Sequence, residues 1–248
     1  MTALFSDLDR TLIFSHRVEL PGEKLPVELL EGRVQSYMTR RTLAYLQEAT
    51  WLRLIPVTMR SLEQYQRISV FQTLLPCRYA LICNGGVLLA DGEADPVWLR
   101  ETRRLAAPEL EELERAVTVF RSLTDAVRTP MDLMAYALCS DPEKVVETLR
   151  GAVNGSLLAV RADKGKVYCL PRSIHKGAAL RRFRERFAVD TAIAAGDSVF
   201  DIPMLNAADF AIAPQSIAAE SLCARTIAAG GGGTFSDEIC DALEALRP

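Results

Sequence analysis

The chain has 248 residues, 49% of them apolar and 25% charged, and a net charge of −3. That length suits one large domain with a smaller one, and the apolar share suffices to bury a core. The acidic balance leaves no basic surplus for a nucleic-acid backbone, no apolar run reaches membrane-spanning length, and the N-terminal stretch lacks the pattern of a secretory signal.

Ala3-Leu4-Phe5-Ser6 is apolar and breaks into Asp7-Leu8-Asp9, which predicts a buried strand ending in a polar loop. Residues 14–38, with Pro21, Gly22, Pro26 and Gly32, are irregular and fit a flap or small hairpin. Thr39 is placed to cap a helix carrying Leu43, Leu46 and Ala49 on one face. Leu52 to Val57 is a second strand, ending at Thr58-Met59-Arg60. Ser61-Leu62-Glu63-Gln64 has the form of a capping box, so a helix starts there and runs through Ile68 and Phe71. Tyr79 to Cys83 is a third strand, closed by Asn84-Gly85-Gly86. Strands alternating with helices imply a parallel sheet covered by helices.

The middle of the chain changes character. Val87 to Leu89 and the turn at Asp91-Gly92 predict a hairpin. Pro108 to Leu123 has a helical stripe of Leu110, Leu113, Val117 and Phe120. Asp132 to Cys139 reads as a strand, and Asp141-Pro142 opens a helix that should stop at Gly151. Leu157 to Arg161 and Val167 to Leu170 flank a turn at residues 163–166, giving a second hairpin. Together these predict a separate α+β unit.

The parallel pattern then resumes. A helix opens at His175-Lys176-Gly177 with Leu180, Phe183 and Phe187 on one face, and Thr191 to Ala195 is a strand ending at Gly196-Asp197-Ser198. Asp209 to Ala213 is a short strand, Gly230 to Gly233 reads as a loop, and Ser236 caps a last helix with Ile239, Leu243 and Leu246. The six cysteines form no C-x-x-C pair and only two histidines accompany them, so zinc is not expected and a reducing, cytoplasmic setting is.

In open parallel sheets, ligands bind outside the carboxyl ends of the strands. The polar residues predicted there are Asp7 and Asp9, Thr58 and Arg60, Asn84, and Asp197 with Asp201. Four carboxylates converging need a cation, and oxygen donors of this kind suit Mg²⁺ with a substrate phosphate oxygen; Lys176 offers a second positive charge.

Asp7-Leu8-Asp9-Arg10-Thr11 resembles the D-x-D-x-T signature of the haloacid dehalogenase superfamily. Thr58, Lys176 and Gly196-Asp197-Ser198-Val199-Phe200-Asp201 resemble its second, third and fourth motifs, in order. The resemblance implies an α/β fold: a Rossmann-like parallel sheet core over 1–85 and 172–248, with an inserted α+β cap domain over 86–171, as in the Cof-like branch. Sucrose-phosphate and mannosyl-3-phosphoglycerate phosphatases and phosphomannomutases share that insertion.

It further implies a phosphatase acting on a small phosphorylated metabolite, by default a sugar phosphate, without nucleic-acid or membrane partners. Asp7 would be the nucleophile and Asp9 the acid and base. Mg²⁺ would be held by Asp7, Asp9, Asp197 and Asp201. Thr58, Arg60, Asn84, Gly85 and Lys176 would bind the substrate. Arg128, Asp132, Arg161, Lys164 and Lys166 are the cap's polar candidates. A transferase or mutase that shields its aspartyl-phosphate from water, and a non-catalytic sensor of a phosphorylated ligand, are the competing readings. Two positions depart from the family pattern: Arg10 stands where Gly is usual, and Phe200 where Asn is usual, which removes one hydrogen bond near the metal.

Overall fold

The computed structural model describes residues 1–247. The chain divides into two compact units, Met1–Ala94 with the segment from Lys176 onward, and Asp95–His175.

The first stretch of the larger unit runs through β1 (Thr2–Ser6), β2 (Phe14–Ser15), β3 (Lys24–Leu30), β4 (Arg33–Thr39), α1 (Arg40–Glu48), β5 (Leu52–Pro56), α2 (Leu62–Gln66), α3 (Val70–Thr73), β6 (Tyr79–Ile82), β7 (Val87–Ala90) and β8 (Glu93–Ala94). The smaller unit contains α4 (Pro96–Leu105), α5 (Ala107–Leu123), β9 (Ala135–Leu138), α6 (Pro142–Ala152), β10 (Leu158–Asp163) and β11 (Lys166–Pro171). The larger unit resumes with α7 (Lys176–Phe187), β12 (Thr191–Ala195), α8 (Ile202–Leu205), β13 (Phe210–Pro214), α9 (Gln215–Ala218), β14 (Thr226–Ala229) and α10 (Phe235–Ala245).

The larger unit is built on a parallel sheet in the order β14-β13-β12-β1-β5. β1 is an interior strand, pairing Thr2 with Thr191 on one side and with Leu52 on the other. Its Ala3, Leu4 and Phe5 are fully buried, as a strand covered on both faces requires. The Phe5 ring meets Phe183 of α7 edge-on, 5.5 Å between centroids. A parallel bridge between Val57 and Leu81 sets β6 beside β5, and β6, β7 and β8 continue as an antiparallel meander. Residues 86–94, read from sequence as part of the inserted block, therefore cluster with the larger unit, because the β6–β7 ladder holds them there.

The local signals explain the helix starts. The Thr39 hydroxyl accepts from the Thr42 amide, and Ser61 and Gln64 form both halves of the capping box. The last helix begins one residue before the predicted cap, at Phe235. Thr234 takes the cap position, and Ser236 is buried in the first turn. Residues 14–38 are more regular than expected: β2, β4 and β3 form a three-stranded antiparallel sheet. Its β3–β4 turn, Glu31-Gly32, has φ of 51° and 74°, the two positive values of a tight hairpin.

In the smaller unit, β10-β11-β9 form an antiparallel sheet, with α5 and α6 packed on one face. Phe120, Leu149, Val167 and Cys169 are fully buried in that core. Tyr136 and Tyr168 pair on the opposite face, 5.8 Å between ring centroids. Helix α4 was not read from the sequence; it starts at Asp95-Pro96, where Asp95 accepts from the Trp98 amide. Among the described residues, no helix is long and apolar enough to cross a membrane.

Candidate active site

The site lies where β1, β5 and β12 end. Asp7 follows β1, and its amide donates to the Ala195 carbonyl at the end of β12, 2.9 Å away. On the other side the Val57 amide donates to the Ser6 carbonyl at 2.8 Å, setting Thr58 beside Asp7. Parallel pairing thus carries residues from three distant segments to one edge of the sheet, the usual ligand position for this topology.

Asp7 is buried. Its Oδ1 accepts from Lys176 Nζ at 2.5 Å and its Oδ2 from Thr11 Oγ1 at 3.2 Å. Lys176, the first residue of α7 and 1% exposed, also donates to Asp201 Oδ1 at 2.5 Å. Asp201 Oδ2 accepts from the Asp197 amide at 3.2 Å, the Ser198 amide at 3.0 Å and Ser198 Oγ at 2.7 Å. Asp201 is thus held by backbone and side-chain donors of the 197–198 turn.

Two glycines make these approaches possible. A Cβ on Gly177 would stand 2.0 Å from the Pro203 carbonyl oxygen, and one on Gly196 would stand 2.4 Å from the Asp201 Cβ.

Side-chain oxygens of Asp7, Asp197 and Asp201 all lie within 4.8 Å of one another. Burial pushes the Asp7 carboxyl up to about 8; Lys176 opposes this, and Asp201, Asp9 and Asp197 add to it. The Lys176 ammonium is held above its usual range, because Asp201 and Asp7 outweigh the burial that disfavours its charge. Such an acid cluster either takes up a proton or needs a cation to stay ionised throughout, and a set of hard carboxylate oxygens fits Mg²⁺.

The remaining predicted residues fall into two groups. Thr58 is 1% exposed and its Oγ1 accepts from the Arg60 amide at 3.2 Å, which leaves its hydroxyl hydrogen to donate. The Asn84 amide donates to the Thr58 carbonyl and the Cys83 amide to the Arg60 carbonyl, both at 2.9 Å, so the loop after β6 is laced to the loop after β5. Asn84 and Gly85 have φ of 60° and 88° in that loop, and both are buried.

Asp9 and Arg60 form an ion pair of their own. Arg60 Nε and Nη2 fork onto the two Asp9 oxygens at 2.9 and 2.8 Å, and Nη1 and Nη2 reach Glu28 at 2.9 and 3.0 Å. The Arg60 guanidinium, expected from the sequence to bind substrate, is here engaged by two carboxylates and the Gln64 carbonyl.

Thr11 and Arg10 were not among the site residues expected from the sequence. Thr11 Oγ1 bonds Asp7 and also reaches Asp197 Oδ1 at 3.4 Å, and its fixed place in the first motif was the signal. Arg10, in a left-handed conformation with φ 68°, places Nε 2.9 Å from Asp197 Oδ2. Glu28 had no signal, since it lies in the segment read as irregular.

A family model described as haloacid dehalogenase-like hydrolase matches residues 111–218, a stretch that includes Lys176 and the 196–201 loop. No curated protein matches the chain in sequence. Among solved structures, the sucrose-phosphatase of Synechocystis sp. PCC6803, in complex with sucrose and phosphate, is 18% identical. It aligns over 98% of this chain and 96% of its own, with a TM-score of 0.64. A HAD subclass IIB sugar phosphatase is 15% identical over 99% of both chains, TM-score 0.66. A HAD phosphatase from Bacteroides thetaiotaomicron is 15% identical over 99% of this chain and 94% of its own, TM-score 0.58. These likenesses establish the fold over nearly the whole chain, and the match to the haloacid dehalogenase-like hydrolase model falls within it at residues 111–218.

Proposed function

We propose that the chain is a Mg²⁺-dependent phosphatase that hydrolyses the phosphate monoester of a small metabolite through an aspartyl-phosphate on Asp7. The observation that carries this reading is the Asp7 carboxylate: buried at the carboxyl end of β1, 2.5 Å from Lys176 Nζ and beside Asp197 and Asp201. A sugar phosphate is the substrate class, on the strength of the sucrose-phosphatase and the sugar phosphatase among the similar structures. The free cysteines fit a reducing cytoplasm.

An Asp7 oxygen attacks phosphorus, and the bond from phosphorus to the leaving oxygen breaks. That oxygen takes a proton from Asp9, giving the free alcohol and an ionised Asp9. Asp9 then takes a proton from the water that attacks the aspartyl-phosphate, the bond to Asp7 breaks, and inorganic phosphate leaves with both aspartates restored. Lys176 and the Thr58 hydroxyl donate to the phosphoryl oxygens, where charge collects in the transition state. The side chains of Asp7, Asp197 and Asp201 and the backbone carbonyl of Asp9 would hold Mg²⁺, which when bound offsets the carboxylate and phosphoryl charge.

The test is inorganic phosphate release from an aryl phosphate with and without Mg²⁺, followed by a panel of phosphorylated metabolites. Turnover that requires metal and disappears in Asp7→Asn is expected. Full activity in Asp7→Asn removes the nucleophile assignment, and a folded, metal-loaded wild type inert across the panel removes the phosphatase reading.

A further inference from the structure

The three-stranded sheet at residues 14–39 carries a buried acid that the chemistry above does not use. Along β3, Leu29 and Leu30 are exposed, whereas Val27 and Glu28 are both buried, although neighbours in a regular strand face opposite sides. The cause is a break in register: Pro26 pairs with Tyr37 and Glu28 with Ser36, so the ladder shifts between them. Bulges of this kind re-aim side chains. The Val27 carbonyl instead accepts from the Ser69 amide, and Glu28 bridges to Ile68.

Turned inward, Glu28 keeps only 3% of its side chain exposed and has its oxygens satisfied. Oε1 lies 2.9 Å from Arg60 Nη1 and 3.3 Å from Arg67 Nη2; Oε2 lies 3.0 Å from Arg60 Nη2 and 2.7 Å from Ser36 Oγ. The Arg60 side chain, 13% exposed, is thereby clamped on one edge, and its other edge forks onto Asp9, which is 53% exposed. A flexible arginine gains little from a half-exposed carboxylate by itself. Fixed from behind by a buried acid, it becomes a rigid fork whose charge is already paired.

We propose that Glu28 is a positioning residue for the reaction: through Arg60 it sets the Asp9 carboxyl where it exchanges protons with the leaving oxygen and the attacking water. Both Asp9 oxygens are engaged by Arg60, and the side chain is about half exposed. The small sheet thus contributes to catalysis without touching the substrate. This inference rests on the acid–base reading of Asp9.

Glu28→Gln keeps the shape and removes the charge. Its kcat/KM is compared with wild type on p-nitrophenyl phosphate and on phenyl phosphate, which differ little in shape while phenoxide is the more basic leaving group and needs the proton more. The expected loss on phenyl phosphate is at least about tenfold larger than on p-nitrophenyl phosphate, since general acid catalysis contributes on the order of 10²–10⁴. A merely structural role lowers both by one factor, and that result overturns the proposal. A second readout is independent of turnover. The Arg60 Nε–H resonance in ¹⁵N spectra, assigned by its disappearance in Arg60→Lys, is protected from solvent exchange in wild type and is expected to lose that protection in Glu28→Gln. Retained protection overturns the proposal. A wild type inert on both esters counts against the phosphatase reading, and the resonance still decides the role of Glu28.

Discussion

Lys176 illustrates how one residue serves both fold and chemistry. Fully buried lysines are rare, and this one is retained because two carboxylates, Asp7 and Asp201, each sit 2.5 Å from its ammonium. Removing one partner of such a cluster leaves buried charge uncompensated. Lys176→Ala is therefore expected to destabilise the protein by about 3–5 kcal/mol in metal-free buffer, read by urea unfolding. Asp7→Asn removes the nucleophile but keeps the shape and the bond to Lys176, so phosphate release should fall at least about 10³-fold while the melting temperature stays close to wild type. The glycines offer a contrast in sterics. Gly177→Ala would drive a Cβ to 2.0 Å from a backbone oxygen and should cost more than about 2 kcal/mol. Gly151, in α6, meets nothing within 4 Å, so Gly151→Ala should stabilise by about 0.5–1 kcal/mol.

At the scale of elements, the small β2-β4-β3 sheet is tied to the loops after β5 by charge rather than by apolar packing alone. Burial favours the neutral form of Glu28, but the Arg60 bond and charge, with Ser36 and Arg67, overcome it and hold the carboxyl below its ordinary value of 4.5. A carboxyl whose value is lowered by folding adds stability above its unfolded value and loses it as the pH falls through the folded one. The melting temperature of the wild type should therefore drop below pH 4.5 by more than that of Glu28→Gln, and the gap between the two should close on acidification. A constant gap across the acid range would mean that Glu28 contributes packing and no charge.

At the scale of the molecule, the larger unit gathers acids from distant parts of the chain to one edge, and their mutual repulsion is a standing cost that a divalent cation relieves. Mg²⁺ is accordingly expected to raise the melting temperature of the wild type, equivalent to about 2.7 kcal/mol at a hundredfold excess over its Kd. Asp197→Asn should lose most of that gain, and a wild type indifferent to Mg²⁺ would argue against the metal site. The same convergence explains what was legible in advance. Strand–loop–helix alternation, the Ser61 capping box and the Asp141-Pro142 helix start are local signals, and local signals survive in sequence. Helix α4 carried the same Asp-Pro signal at Asp95-Pro96, but its buried face holds Trp98 and Thr102 among arginines, so no apolar stripe announced it.

The sequence by itself determined the parallel core, the α+β insertion and the residues gathered at the strand ends, because each depends on short-range pattern and on chain order. Tertiary structure alone decided the pairing of charges: that Lys176 bridges Asp7 and Asp201, that Arg10 rests on Asp197, and that Arg60 serves Asp9 and Glu28. A charged side chain takes the partner that burial and geometry place within reach. For Glu28 that placement came from a shifted strand register, a one-residue displacement that period-two alternation cannot reveal.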